Sequence, residues 1–296
     1  MLDPLPVSLI MPIPEKCPLS ALHGTLPNSE CRLGVCLTAR HTVYMTEIAS
    51  ADALGFSWDR SALPRNITGS DVRRAVWRFG KMLPGYVWDA AVLEGNPFTY
   101  PEVQTLLDGI TVGGRKLSDE RQILNLSESA NELIRLVQSG QFRIDKATSD
   151  LLNDLIARGE ALEAGHFRGE GSVITQVSVN MGVHGTHRPP PTEPGGENLR
   201  RIFQRGTEVI VGLNSGVFEQ AVAYFLFAAF HQFYYDGNKR TGRYMMNGHL
   251  MSHGIDAISV PAGRKQEFNA EMIEFYWQKD GTRMFQFLAS CWEDAQ

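Results

Sequence analysis

The stretch VFEQAVAYFLFAAFHQFYYDGNKRTGR, residues 217–243, decides how the rest of the chain must fold. Its first half, Val217 to Phe230, is apolar on nearly all sides, with Val222, Phe225, Leu226, Phe227 and Phe230 spread around the helical circle. A helix of that kind is central in a bundle, because none of its faces suits water. It runs directly into Asp236, Gly237, Asn238, Lys239 and Arg240, where the glycine lets the backbone turn and approach a ligand closely. A new helix is expected at once, over about Arg240 to His253. Its first amides are unpaired and its dipole is positive there, so its start is a ready anion site. Arg240 and Arg243 stand three apart, on one face, and can clamp two phosphates. Asp236 beside them is a candidate magnesium ligand, since magnesium typically takes one or two carboxylates plus phosphate oxygens. A plain solvent turn accounts for Asp236 to Lys239 but does not need two arginines one helical step apart.

The chain around this segment has 296 residues, 43% apolar and 21% charged, an ordinary globular composition with mass for one large core or two modest ones. A net charge of −5 argues against nucleic-acid binding, which demands a basic face. The longest apolar run, Ala221 to Phe230, is about half a bilayer span, and Met1 to Pro14 is Pro-punctuated rather than signal-like. The chain therefore reads as soluble and cytoplasmic, with no membrane partner. Cys17, Cys31, Cys36 and Cys291 read as free thiols, since no second pair or nearby histidine completes a metal site.

The expected fold class is mainly α. Residues 1–68 are rich in Pro and Gly, with Leu33 to Leu37 and Thr42 to Met45 as a possible hairpin. Residues 69–117 carry short helices: one capped at Ser70 and Asp71 and ended by Gly85, one over about Tyr86 to Leu93, and one opened by Thr99 with Pro101 and Glu102 as a capping box. Residues 118–296 form the remaining core. Ser118 is expected to cap a long helix, a further helix covers about Lys146 to Ala164, and Val173 to Val179 alternates as a strand. Gly182 to Gly196 reads as an exposed loop, followed by helices to the end.

The segment His231 to Arg243 resembles the signature of the Fic (Fido-domain) family, which runs His-x-Phe-x-Asp/Glu-Gly-Asn-Gly/Lys-Arg-x-x-Arg. Gly165-His-Phe-Arg-Gly169 and the prolines 189–191 are similar to the family's target-docking flap and entry loop, and Glu267-Phe-Asn and Asp280-Gly to its closing helices. The resemblance covers about Ser70 to Leu288 and implies a Fido-type helical bundle with a small β-hairpin flap. It implies Mg²⁺-dependent transfer of AMP from ATP to a hydroxyl of a target protein. Asp236 would be the magnesium ligand, Gly237 and Asn238 the phosphate-cradling turn, Arg240 the holder of the α/β-phosphates and Arg243 that of the γ-phosphate. Lys239 stands where Gly is commoner, as in family members that resemble kinases, so phosphotransfer stays open.

The family's general base is a histidine four residues before the aspartate, a task suited to an imidazole titrating near neutrality. Counting back from Asp236 puts Gln232 in that slot and Tyr234 in place of Phe, whereas a one-residue insertion would restore His231 and Phe233. With Gln232 there the chain becomes a weak enzyme, one of different chemistry, or a non-catalytic nucleotide-binding or interaction module. The stretch Ala90 to Gly95 is similar to the family's inhibitory helix, which implies that Glu94 restrains the site by pairing bidentately with Arg243. The partners implied are ATP and a target protein, and a homo-oligomer stays open.

Overall fold

The computed structural model describes residues 52–64, 67–214 and 216–295. The helices are α1 (Val72–Lys81), α2 (Leu83–Leu93), α3 (Tyr100–Leu107), α4 (Leu117–Gln138), α5 (Lys146–Ala157), α6 (Glu197–Val211), α7 (Val217–His231), α8 (Asn238–Ser252), α9 (Lys265–Gln278) and α10 (Thr282–Glu293). Between α5 and α6 lies a two-stranded antiparallel hairpin, β1 (Val179–Asn180) and β2 (Thr186–His187). The molecule is thus mainly α with a small β-hairpin, as its sequence pattern requires. No helix among the described residues is long and apolar enough to cross a membrane.

The apolar helix α7 lies at the centre, with every residue from Ala221 to Phe230 buried. It packs chiefly against α8, which doubles back along it, and also against α6 and α10. The α7–α8 crossing is close because Gly242 has no side chain; a Cβ there would stand 3.2 Å from the Phe225 ring. Gly206 on α6 does the same for Phe227, whose ring atoms would lie 2.2 Å from an added Cβ.

Several boundaries differ from the sequence expectation, each for a local reason. Gly85 does not end a helix; the break falls at Met82, and Pro84 sits in the first turn of α2, where its missing N–H costs nothing. Asp71, not Ser70, caps α1, its carboxylate accepting from Arg73 N at 2.7 Å. Helix α4 begins at Leu117 without help from Ser118, while Asp119 and Glu120 face the positive end of its dipole. Helix α5 stops at Ala157 rather than Ala164, since Gly159 turns into the left-handed region at φ 74°. At Thr99 the carboxylate of Glu102 accepts the backbone N–H at 2.7 Å, as the capping pattern anticipates.

The expected strand over residues 173–179 shrinks to β1. Side chains take the backbone groups that a neighbouring strand would have used: Glu163 accepts from Val173 N, Tyr235 OH donates to Val173 O, and Thr192 Oγ1 donates to Thr175 O. The core also starts earlier than residue 69, because Leu54 and Phe56 are buried in the same apolar cluster as the helices. Cys291 is a buried free thiol, whereas Cys17, Cys31, Cys36 and the hairpin expected over residues 33–45 fall outside the described residues.

A Gly206→Ala substitution should overpack the α6–α7 contact and cost about 1–3 kcal/mol in urea unfolding, with the helical circular-dichroism signal retained. An unchanged midpoint would mean that Phe227 moves aside freely.

Candidate functional site

The turn between α7 and α8 is built from the end of one helix and the start of the next. Helix α7 ends at His231, and Gln232 follows in the left-handed region at φ 48°, ψ 59°, a conformation seldom adopted by a residue with a side chain. That change of direction sends the two neighbouring side chains to opposite sides. The imidazole of His231 faces away from the turn. Its Nε2 donates to Leu54 O at 2.9 Å, and it packs among Phe227, Phe230 and Phe233. Burial pulls its pKa down to about 4, and its Nδ1 meets no hydrogen-bond partner among the described residues.

Gln232 faces the turn. Its Oε1 accepts from Asn238 Nδ2 at 3.1 Å and its Nε2 donates to Ala229 O at 2.6 Å. The Asn238 carboxamide also accepts from Tyr234 N at 2.9 Å and donates to Tyr234 O at 2.8 Å, which closes the loop on itself. Tyr234 is buried and bonds Ser149 and Asp150 through its hydroxyl, both at 2.8 Å. Gly237 has φ 76°, and a Cβ on it would meet Asn153 Nδ2 at 3.0 Å and Ala157 at 3.3 Å. Both conformation and space therefore call for glycine there. Asn153 is fully buried and donates to Asp236 O and Thr241 Oγ1, each at 3.1 Å, so α5 fixes the turn from beneath.

Each arginine of α8 already has a carboxylate. Arg240, with its side chain 4% exposed, donates to Glu160 at 2.8 Å and lies 3.4 Å from Asp236. Burial works against its charge, and Glu94, Glu160 and Asp236 outweigh that, raising its pKa above the ordinary arginine value. Arg243 donates to Glu94 Oε1 through Nη2 at 3.3 Å, while Lys239 stands 3.9 Å from Glu94 Oε2. The pair is therefore not the bidentate fork that the sequence suggests: the carboxylate is divided between two cations, and Arg243 Nη1 meets no partner among the described residues. Burial would raise the pKa of Glu94, yet Lys239, Arg243 and Arg240 together hold it below the usual carboxylate range.

Asp236 is 57% exposed and its Oδ1 accepts from Gly237 N at 2.5 Å. Among the described residues no group of three or more His, Cys, Asp or Glu is arranged to hold a metal ion. Asn153 and Glu160 escape the sequence reading, although the buried stripe of α5 carries polar Ser149 and Asn153 beside Leu152 and Ile156, a pattern that marks groups with fixed partners.

No protein-family model matches the chain. The protein named Protein adenylyltransferase Fic from Drosophila grimshawi is 25% identical over 214 residues, which cover 70% of this chain and 41% of that protein. Its Drosophila melanogaster counterpart is 24% identical over 217 residues, 70% of this chain and 40% of that one. The chain thus spans about two-fifths of the length of these curated relatives. Among solved structures, the Fic-1 fragment of C. elegans aligns with a TM-score of 0.61 at 17% identity, over 90% of this chain and 73% of that one. A Fic-domain signaling protein of Bacteroides thetaiotaomicron aligns with a TM-score of 0.59 at 15% identity, over 84% and 93%. Fold and turn together define a Fido-type helical core. In sequence and in fold the chain is similar to proteins named for Fic.

Because Glu94 has a lowered pKa, its contribution to stability is complete above the unfolded carboxylate pKa of about 4.3 and is lost as pH falls through the lower folded value. A Glu94→Gln variant should therefore lose most stability relative to the unaltered chain near pH 7, with the gap closing below about pH 4. Thermal unfolding across pH 3–8 measures it, and a constant gap would contradict the ion pair.

Proposed function

We propose that the chain binds Mg²⁺·ATP at the turn from Asp236 to Arg243 and transfers AMP to a hydroxyl of a target protein, restrained by Glu94 and slowed because Gln232 stands where a base is needed. The observation that carries this reading is the pair Gln232 and Asn238, in contact at 3.1 Å, with His231 turned toward Leu54. The names of the Drosophila relatives support AMP transfer as the reaction class.

In this reading the free amides at the start of α8 and the Gly237–Asn238 turn cradle phosphate oxygens, with Arg240 on the α/β-phosphates and Arg243 on the γ-phosphate. Asp236 suits magnesium: it is half-exposed and a single carboxylate, the usual protein share of an ion that completes its shell with phosphate and water. When bound, the ion would offset charge on the phosphates. The acceptor hydroxyl attacks the α-phosphorus, the bond to the β-phosphate breaks so that pyrophosphate leaves, and the hydroxyl's proton passes to water. Gln232 can hydrogen-bond the hydroxyl, but a carboxamide takes no proton near neutral pH, so the general-base contribution of about 10²–10⁴-fold is missing. Glu94 occupies Arg243 and lies near Lys239, so a γ-phosphate has to displace it.

Lys239 favours a second reading, transfer of the γ-phosphate on the same scaffold. With α- and γ-labelled ATP as separate probes, Glu94→Gly should give weak protein labelling from the α-label only. Adding Gln232→His should raise it by about 10²–10⁴-fold. Labelling from the γ-label alone selects phosphotransfer. A protein that ATP stabilises against heat in an Arg243-dependent way, but that labels from neither even with both substitutions, is a binding module. Absence of any ATP effect would overturn the site itself.

A further inference from the structure

Among the described residues Arg168 is the largest fully buried side chain, and its guanidinium is paired with no acid there. All four of its hydrogen bonds go to uncharged oxygens: Nε to Gln232 O at 2.6 Å, Nη2 to His231 O at 3.4 Å and Pro190 O at 2.9 Å, and Nη1 to Thr192 Oγ1 at 2.5 Å. Burial pulls its pKa down only to about 10, so it keeps its charge at neutral pH. Burying an ion without a counter-ion is among the costliest placements in a protein interior. What offsets the cost here is the end of α7. The last carbonyls of a helix are unpaired and carry the negative end of its dipole, and those of α7 are buried.

The other terminal carbonyls of α7 are already taken. Ala228 O accepts from Gln232 N, Ala229 O from Tyr276 OH, and Phe230 O from His187 Nε2. His231 O and Gln232 O remain, and the left-handed turn at residue 232 points both toward Arg168. The opposite edge of the guanidinium holds the far leg of the 173–192 segment. Thr192, which it binds, is joined to the near leg through Thr175 O and through both ends of the Gln176 carboxamide. The backbone agrees, since Arg168 N donates to Phe233 O at 2.9 Å and Phe167 stacks on Phe233 at 5.0 Å.

We propose that Arg168 is a positioning residue, which fixes the backbone at residue 232 and the hairpin segment 173–192 against each other and so sets where an acceptor lying along that segment meets the turn. The role depends on the function proposed above only for its purpose; the mechanical coupling stands apart from it. Loss of the guanidinium releases two distant stretches at once, while the triphosphate contacts of α8 stay in place.

Amide hydrogen exchange on the full chain tests this, with Mg²⁺·ATP-induced thermal stabilisation as a second readout. Arg168→Gln should speed exchange at least tenfold in both 173–192 and 231–238, leaving α4 unchanged and the apparent ATP affinity within twofold. Arg168→Lys, which keeps the charge at the α7 carbonyls without reaching both edges, should restore protection at 231–238 but not at 173–192. Exchange that rises uniformly over the chain, or release of one stretch alone in Arg168→Gln, overturns the proposal. Should Arg168→Gln not fold, the split protection expected of Arg168→Lys decides it, and equal protection of both stretches there overturns it. If ATP fails to stabilise even the unaltered chain, the nucleotide reading falls while the exchange result still judges the coupling.

Discussion

One carboxamide holds the central reversal of the chain together. Helix α7 is buried on all sides and cannot slide or rotate without exposing aromatic surface, so its end is fixed before the turn begins. Within the six residues 232–237 the chain must leave α7, satisfy buried backbone groups and start α8 alongside. Asn238 makes this possible by binding both backbone polar groups of Tyr234 and the side chain of Gln232. A buried amide left without such a partner costs about 1–3 kcal/mol, and here three groups depend on one side chain. The left-handed strain at Gln232 is tolerated because the bonds around it leave no alternative.

The charges of the turn follow from the same enclosure. Two arginines brought one helical step apart and buried repel each other, and the fold answers with a carboxylate for each from a different helix end. Glu160, just past α5, serves Arg240, and Glu94, the cap of α2, serves Arg243. The two contacts are unequal. Glu160 bonds a well-aligned nitrogen and is itself held by Gln122, whereas Glu94 is shared between Arg243 and a more distant lysine. An anion arriving at this turn therefore meets one arginine firmly engaged and another loosely engaged, with a guanidinium nitrogen that has no partner among the described residues.

What the sequence reveals depends on how local the cause is. The periodicity of α7, the glycine of the turn and the capping box at Thr99 are short-range matters, and the chain spells them out. Ser118 looks like a cap but is not one: the helix begins a residue earlier, with Lys116 in the cap position and no side-chain cap bond, and its first buried residue is Ile123. The choice between His231 and Gln232 is a matter of about 100° around a helix axis. It turns on where α7 stops, and that is set by Arg168, Tyr276 and His187 from remote parts of the chain. Those partners, like Asn153 and Glu160, have no mark in the signature segment itself. Their polarity inside apolar stripes is the only hint.

The residues just before α1 act as a strap. Ser57 exchanges backbone bonds with Lys279 and Gly281, Leu54 O receives His231, and Trp58 and Arg60 both donate to Glu219. Glu219 lies on α7 with its side chain 1% exposed, and the described donors to its carboxylate come from that strap. A shortened chain that begins at the first long helix would thus strand a charge inside the bundle, a loss on the order of 3–5 kcal/mol. The smallest autonomous piece of this protein is longer at its front end than its helices alone suggest.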